Sequence, residues 1–322
     1  MKLGLFTAYY EDRTLDEVCA FARDLGYDGV ELACWHGSRH LDAERAVAEP
    51  AYAKSILDTV SAHGLEIGCV SNHLDGQLVL GPYDRSTDDW SPASGAEEKL
   101  RFAIERSKLA PKVAAALEVE TVAGFVGSHV WGHWYNHDPQ MVEIYEEGWD
   151  LFAERWNPIL DEYRTEGVRF ALEVHPVQIA YNIETAARAL EALDHRPEFG
   201  FNFDPSHLVW QLIDPCLFVT EFADRIYHAH AKDTELVARN LARSGILSGG
   251  PWERIDRGVR FRCPGWGDID WHRLVSALFE VGYDGMLAYE HEDPIISADD
   301  AAEKCVNFLR PLVIDPPTDQ AG

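Results

Sequence analysis

Four short apolar runs in the second half of the chain end in side chains that can bind a metal or transfer a proton. These terminal residues are Glu173 and His175, Asp204 and His207, His228, His230 and Lys232, and Glu290 and Glu292. Residues two apart share one face of a β-strand, so the alternation places one strong ligand of every run on the same inward face. The four ligands selected in this way are Glu173, Asp204, His230 and Glu290.

Three carboxylates crowded at one site would raise one another's pKa unless a cation compensated their charge. We therefore predict a divalent metal at these four residues. One imidazole with several carboxylate oxygens suits Mn²⁺, our first expectation, or Mg²⁺, and it tolerates Co²⁺ or Zn²⁺. Taken singly, a strand-end carboxylate often caps the next helix and a lone histidine is often a satisfied core or rim group. The metal interpretation depends on the four side chains acting together.

Eight β-rich runs alternate with longer amphipathic stretches, which is typical of a parallel sheet built from βα units. A closed (β/α)8 TIM barrel needs eight strands and builds its active site at their carboxyl ends. We therefore predict a single α/β domain over residues 1–322, a TIM barrel with long βα loops and a loose tail after about residue 311. The predicted strands are Leu3–Thr7, Gly29–Ala33, Leu65–Val70, Glu120–Val126, Val168–Val174, Phe199–Asp204, Arg225–Ala231 and Gly285–Glu290. The predicted helices include Leu15–Leu25, Ala51–His63, Gln140–Arg164, Thr185–Leu193 and Trp271–Val281.

Two connections are long, roughly 72–95 and 234–268, and long loops in a compact barrel are usually functional. The second contains six arginines in an otherwise acidic chain. A solvated lid surface is favoured over an anion-binding role for them, because charge runs are normally exposed.

The overall charge excludes some classes of partner. The chain of 322 residues is 46% hydrophobic and 26% charged, with a net charge of -27. Nucleic-acid binding depends on Lys and Arg, so we expect no nucleic-acid partner and no binding to anionic membranes. We also see no membrane-length apolar run and no signal-peptide core. The 6 scattered cysteines form no CxxC pair, which favours a reducing cytoplasm.

The runs that carry these residues also resemble a known family. They are Leu172-Glu173-Val174-His175, Asp204-Pro205-Ser206-His207, His228-Ala229-His230-Ala231-Lys232-Asp233, Pro264-Gly265-Trp266-Gly267-Asp268-Ile269-Asp270-Trp271 and Tyr289-Glu290-His291-Glu292-Asp293. Over nearly the whole chain the sequence resembles the xylose isomerase-like TIM-barrel superfamily, which includes ketose 3-epimerases and inosose dehydratase. The resemblance implies the same four metal ligands and a substrate contact for His207. The Glu-Val-His-Pro run and the long insert look more like the α subunit of C-glycoside deglycosidases. This resemblance implies an oligomer and, if it extends to assembly, a small companion subunit.

The resemblance implies carbon-acid chemistry on a carbohydrate or glycoside. We favour a lyase that acts through the enolate of a 3-oxo sugar derivative, with His175 or His207 as acid or base. The alternatives are a sugar isomerase or ketose 3-epimerase, in which Glu173 and Glu290 exchange protons at carbon, and a dehydratase of the inosose type. Two further alternatives belong to other classes of protein. In a non-catalytic sugar-binding protein, binding alone would not require three carboxylates at one site. A nuclease of the endonuclease IV type would need a basic groove, which 28 basic against 55 acidic residues opposes.

Further substrate-binding candidates follow other predicted strands or lie near the centre. The aromatic and histidine-rich stretch 128–137 follows the fourth strand, and its rings could stack on a sugar or an aglycone. A packed loop or a subunit contact is an equal alternative for this stretch. The candidates are His207, Lys232, Trp131, His129, His73 and Glu31.

Overall fold

The computed structural model describes residues 1–130, 139–251 and 253–314. Eight parallel strands form a closed barrel in which β10 pairs with both β7 and β1. The predicted (β/α)8 TIM barrel is therefore confirmed. The barrel strands are β1 Lys2–Phe6, β2 Gly29–Ala33, β3 Glu66–Asn72, β4 Thr121–Gly124, β5 Arg169–Glu173, β6 Phe199–Phe203, β7 Ile226–Ala231 and β10 Met286–Tyr289, and β8 Asp233–Leu236 and β9 Val259–Arg262 form a separate antiparallel pair.

Helices cover the outside of the barrel and fill its connections. The five helices that the sequence predicts are present with small shifts at their ends, and α5, which the sequence reading leaves out, is the second longest of the described part. The helices are α1 Leu15–Leu25, α2 Ala43–Ala48, α3 Pro50–Ala62, α4 His73–Gln77, α5 Ala96–Ala116, α6 Pro139–Glu166, α7 Ile183–Ala192, α8 Pro205–Trp210, α9 Pro215–Glu221, α10 Ala238–Ser244, α11 Trp271–Glu280 and α12 Ala298–Leu309.

The sequence repeats one helix-to-strand turn before β2 and β10, and the structure explains why. Gly26 and Gly282 follow α1 and α11 with φ angles of 91° and 80°, in the left-handed region that favours glycine. At the other end of α1, Thr14 and Glu17 form a reciprocal capping box, which fixes the start of the helix.

The inward and outward faces of the strands follow the predicted alternation. Phe199, Phe201 and Phe203 of β6 point away from the barrel axis. Phe201 and Phe203 both contact Phe218 of α9, with ring centroids 5.3 and 5.6 Å apart. The inward face of β10 begins with Met286, whose side chain fills the amino end of the barrel so tightly that a Cβ on Gly4 would lie 2.2 Å from its Sδ. This end is therefore packed, and the polar residues occupy the opposite end.

The second long connection is an ordered subdomain of the barrel rather than a loose lid. Strands β8 and β9 pair across it, and Asp233 at its base accepts hydrogen bonds from four donors. They are the backbone N–H groups of Thr234 (2.7 Å), Gly265 (2.9 Å) and Ile269 (3.1 Å) and the indole N–H of Trp271 (2.9 Å).

The arginines of this connection mostly hold the segment together. Arg257 donates to the carbonyl oxygens of Gly250 and Pro251, at 2.6 and 2.8 Å. Arg260 binds Glu235 at 2.6 Å, and Arg262 binds Glu235 and Asp293. The favoured solvated surface does not describe these three guanidinium groups, which bind protein acceptors, whereas Arg239 and Arg243 of the same connection are exposed to solvent.

All 6 cysteines are buried with free thiols. None of the helices within the described ranges combines the length and the apolar character that a membrane span requires.

Candidate metal centre

Four buried side chains converge at the carboxyl end of the barrel. Glu173 ends β5 and His230 lies near the end of β7, whereas Asp204 and Glu290 directly follow β6 and β10. One ligand atom of each lies within 4.8 Å of the ligand atoms of the other three. We call these four residues the acidic centre. The structure thus brings together the four residues that strand alternation selects.

Asp204 uses its two carboxylate oxygens differently. Oδ1 accepts the backbone N–H of Ser206 at 2.8 Å and so caps α8. Oδ2 is buried without a hydrogen bond to the described residues, although Lys232 Nζ lies 3.0 Å away as an ion pair. The role of helix cap and the role of ligand are therefore compatible, because each uses a different oxygen.

Lys232, a predicted substrate contact, lies among the carboxylates. Its side chain is 2% exposed, and Nζ forms ion pairs with Asp204, Glu290 and Glu292. Burial lowers the pKa of Lys232, but the three carboxylates outweigh this effect and raise the pKa well above its usual value. The ammonium group therefore neutralises part of the negative charge of the carboxylates, for which the sequence predicted a metal cation as the only compensation.

Both oxygens of Glu173 are engaged by neighbouring side chains. Oε1 lies 2.9 Å from His207 Nε2, and Oε2 lies 3.1 Å from His73 Nε2 and accepts the amide of Asn202 at 3.0 Å. Burial raises the pKa of Glu173, but hydrogen bonds from His207, His230 and His73 hold it well below its usual value. Glu173 is therefore ionised. His73 contacts Glu173 and lines the cavity, and its role as a substrate contact stays a prediction.

Glu290 is also ionised, and it reaches the cavity above the centre. Burial raises its pKa, but Lys232 and His230 lower it to about 2. Its Oε2 lies 3.3 Å from His230 Nδ1, and its Oε1 accepts the hydroxyl of Tyr9 at 3.2 Å. By contrast, burial and the neighbouring Glu290 raise the pKa of Glu292, although Lys232 opposes this.

Glu31 lies beneath His230 rather than at the substrate cavity, which corrects its prediction as a substrate contact. Its fully buried carboxylate lies 3.1 Å from His230 Nε2 and 2.8 Å from His228 Nε2, and it accepts the hydroxyl of Ser71. Burial raises the pKa of Glu31, but the two imidazoles lower it by more than burial raises it, so the carboxylate is ionised. His230 donates from Nε2 to Glu31, which fixes the orientation of the imidazole and directs Nδ1 towards Glu173, 3.1 Å away. Metal-binding histidines are commonly oriented by an outer carboxylate in this way.

A cavity of about 270 Å³ lies directly above the acidic centre. Its aromatic walls come from the ends of β1, β2 and β4, in residues that the sequence reading missed. They are Phe6, Tyr9, Trp35 and Phe125, and the polar wall includes His73, His175, His207, Lys232, Glu290 and Glu292. The same strand-end rule that selected the late strands, applied to the early ones, would have indicated the aromatic residues.

His175 and His207 form a pair of imidazoles at one side of this cavity. Their ring centroids lie 4.0 Å apart, and His175 Nδ1 accepts the backbone N–H of Val177 at 3.2 Å. Burial, with a smaller contribution from His207, lowers the pKa of His175 well below its usual value, although Glu173 opposes this. His175 is therefore a neutral imidazole at neutral pH, and because Nδ1 accepts from Val177, its proton lies on Nε2 and can be donated.

His129, another predicted substrate contact, is not placed in the cavity. His129 is exposed to solvent and is absent from the described lining of the cavity. Trp131 lies outside the described residues.

Sequence comparison identifies the family. The family described as xylose isomerase-like TIM barrel matches residues 19–312. The chain belongs to this family. Membership confirms the superfamily resemblance, whereas the closer resemblance to C-glycoside deglycosidases stays a prediction.

Curated relatives of this xylose isomerase-like barrel differ in how much they match. The uncharacterized protein YfiH of Bacillus subtilis is 25% identical over 97% of this chain and 99% of its own length. The inosose dehydratase of Geobacillus thermodenitrificans is 29% identical over 47% of this chain, and the match spans 50% of that enzyme.

Solved structures share the fold at low identity. The 3-keto-D-glucoside 4-epimerase YcjR of E. coli superposes with a TM-score of 0.66 at 15% identity, covering 97% of this chain and 99% of its own. The IOLI protein with a bound zinc atom also has a TM-score of 0.66, at 18% identity, covering 97% of this chain and 98% of its own.

The side chains of the acidic centre fit a divalent cation. Three carboxylates and one imidazole offer the hard oxygen and nitrogen donors that Mn²⁺, Mg²⁺ or Zn²⁺ accept. Glu173 and Glu290 are ionised, and one oxygen of Asp204 is buried without a hydrogen bond to the described residues. Lys232 Nζ, 3.0 Å away, offers this oxygen one positive charge, and a divalent cation would share the oxygen with the ammonium group.

Proposed function

We propose that this barrel is a divalent-metal-dependent carbohydrate lyase that acts through the enolate of a 3-oxo sugar derivative. Cleavage of the kind carried out by C-glycoside deglycosidases is the finer form of the proposal. The observation that carries it is the imidazole pair of His175 and His207, which borders the cavity above the acidic centre. When bound at the acidic centre, Mn²⁺ or a related cation would supply Lewis acidity for the substrate carbonyl and its neighbouring hydroxyl.

The proposed reaction is a redox-neutral β-elimination. His207, through Nδ1, removes the proton at C2, next to the 3-oxo group, and the electron pair of that bond enters the enolate. The enolate then forms the C1–C2 double bond as the bond from C1 to the leaving group breaks. The leaving group takes a proton from Nε2 of His175. The tautomers support these roles, since Nδ1 of His175 already accepts from Val177 and Nε2 of His207 already donates to Glu173, which leaves Nδ1 of His207 as the proton acceptor.

Isomerisation or epimerisation is the second candidate. Glu173 and Glu290 flank His230 Nδ1 at 3.1 and 3.3 Å, so two carboxylates stand at one site as an exchange of protons at carbon requires. Both oxygens of Glu173 are already engaged by side-chain donors. This engagement weakens Glu173 as a carbon base and favours elimination.

A direct assay separates the candidates. Mn²⁺-loaded protein is incubated with phenyl 3-oxo-β-D-glucoside and, separately, with free ketohexoses, and products are followed by chromatography and NMR. Release of phenol with an unsaturated 3-oxo sugar is the expected result. Epimerised ketohexose without phenol release would overturn the lyase proposal, and sugar binding without either product would favour a non-catalytic binding protein.

The quaternary structure and the companion subunit also remain proposals. We expect an oligomer, and a small partner subunit if the deglycosidase resemblance extends to assembly. Light scattering of the purified chain measures its oligomeric state. The mass of the complex purified from the native source shows whether a small subunit accompanies the chain.

A further inference from the structure

A second cavity adjoins the one above the acidic centre. It has a volume of about 240 Å³ and shares three lining residues, His175, His207 and Glu292, with the inner cavity. We call it the outer pocket. Its remaining walls come from the loop after β5, the end of α8, β9 and the segment after β10. The imidazole pair therefore stands at the boundary between the two spaces.

The walls of the outer pocket are mainly apolar. The apolar side chains are Pro176, Val177, Trp210, Val259, Phe261 and Pro294. A sugar ring here would face few hydrogen-bonding partners for its hydroxyl groups, which is costly when the ring leaves water. An aromatic ring loses little on leaving water and gains contact with these walls.

Two arginines also line the outer pocket, and most of their N–H groups donate to protein acceptors, although Nε of Arg260 is buried without a hydrogen bond to the described residues. Arg257 donates to the carbonyl oxygens of Gly250 and Pro251. Arg260 binds Glu235 at 2.6 Å and the carbonyl oxygen of Ile255 at 2.9 Å. Glu292 adds a carboxyl group on the inner side. Among the described residues, these groups give an anionic ligand little advantage over a neutral one.

The volume is sufficient for one aromatic ring. A cavity of about 150 Å³ with apolar walls can admit benzene, so about 240 Å³ accepts a substituted ring. The two adjoining cavities, of about 270 and 240 Å³, together fall within the size range of an ordinary ligand site, which is roughly 300–1,000 Å³.

We propose that the outer pocket binds the aromatic aglycone of a glycoside whose sugar ring occupies the inner cavity. This inference rests on the proposed function and specifies its substrate class as aryl glycosides rather than free monosaccharides. The bond between sugar and aglycone would then lie beside His175 and His207, where elimination needs an acid and a base.

Binding of unreactive probes tests the pocket independently of turnover. Phenyl and methyl β-D-glucoside lack the 3-oxo group, so they cannot form the enolate, and their dissociation constants for the Mn²⁺-loaded protein can be measured by calorimetry. We expect the phenyl glucoside to bind at least about tenfold more tightly, since burial of a ring is strongly favourable. Equal affinities, or no binding of either glucoside at millimolar concentration, would overturn the inference. Failure of the lyase assay with a retained phenyl preference would overturn only the proposed function.

Two substitutions locate the preference. Val177→Trp fills the outer pocket and Trp210→Ala removes one of its walls, so each should reduce the phenyl preference to about threefold or less. Val142→Trp, on the exposed surface of α6, is the control for introducing a large ring and should retain the full preference. If one pocket variant fails to fold, the other decides. A phenyl preference that persists in a folded pocket variant places the ring elsewhere.

Discussion

The carboxylate beneath His230 offers a sharp test of the metal centre. Glu31 is fully buried and lies 3.1 Å from His230 Nε2 and 2.8 Å from His228 Nε2. Glu31→Gln keeps the size of the side chain but replaces one of its two acceptor oxygens with an NH₂ group. At least one of its present donors then loses its acceptor, and His230 is less firmly held with Nδ1 towards the acidic centre.

The magnitude follows from the role of outer hydrogen-bond partners of metal ligands. Loss of such a partner typically weakens metal affinity about 10–100-fold, which corresponds to about 1.4–2.7 kcal/mol. We therefore expect Glu31→Gln to raise the dissociation constant for Mn²⁺ by that factor, although residue 31 is not one of the four proposed ligands.

The assay is Mn²⁺ titration followed by calorimetry or by the electron paramagnetic resonance signal of the free ion. The matched control is Glu198→Gln, which changes a largely buried carboxylate that pairs with Arg196, outside the acidic centre. Thermal unfolding of both variants measures general damage. Unchanged Mn²⁺ affinity in folded Glu31→Gln protein would refute the proposed role of Glu31, and equal loss in both variants would remove its specificity.

Three further predictions concern the site and its support. Burial opposes protonation of His230, but neighbouring carboxylates raise its pKa well above the usual value. Metal binding at neutral pH should therefore release a proton and become tighter as the pH rises. Calorimetry in buffers of different ionisation enthalpy measures the number of protons released, and a value of zero would contradict the prediction. Asp233→Asn places an NH₂ group opposite some of the four N–H donors whose hydrogen bonds Asp233 accepts. We therefore expect the free energy of unfolding, measured in urea, to fall by about 2–4 kcal/mol. A decrease as small as that of the exposed control Asp284→Asn would refute this prediction. His175→Gln should lower kcat for elimination by about 10²–10⁴ while Mn²⁺ affinity is retained. The exposed His272→Gln is its control, and activity equal to that control would exclude His175 as the acid.

The fold and the convergence of the four ligands could be predicted because both follow from local patterns. Alternation along a strand decides which face a side chain occupies, and it depends only on neighbouring residues. Closure of eight parallel strands then brings their carboxyl ends together. Glu173 and His230 could therefore be placed at one site although 57 positions separate them in the chain.

The contacts that adjust this site were decided by the tertiary structure. Glu31 lies in the middle of β2 and His73 directly follows β3; the first supports His230 from below and the second contacts Glu173 at the cavity. Strand alternation predicts the face on which each side chain lies but not its depth along the barrel axis, which depends on strand register and stagger.

The charge balance of Lys232 and the outer pocket also lie beyond local pattern. The pairing of Lys232 with Glu290 joins β7 to the residue after β10, and the outer pocket needs four separate segments to meet. The sequence by itself determined the barrel and which residues face its mouth, because strand periodicity is local. Which of those residues bind one another, and what space remains between them, was decided only when the distant segments packed.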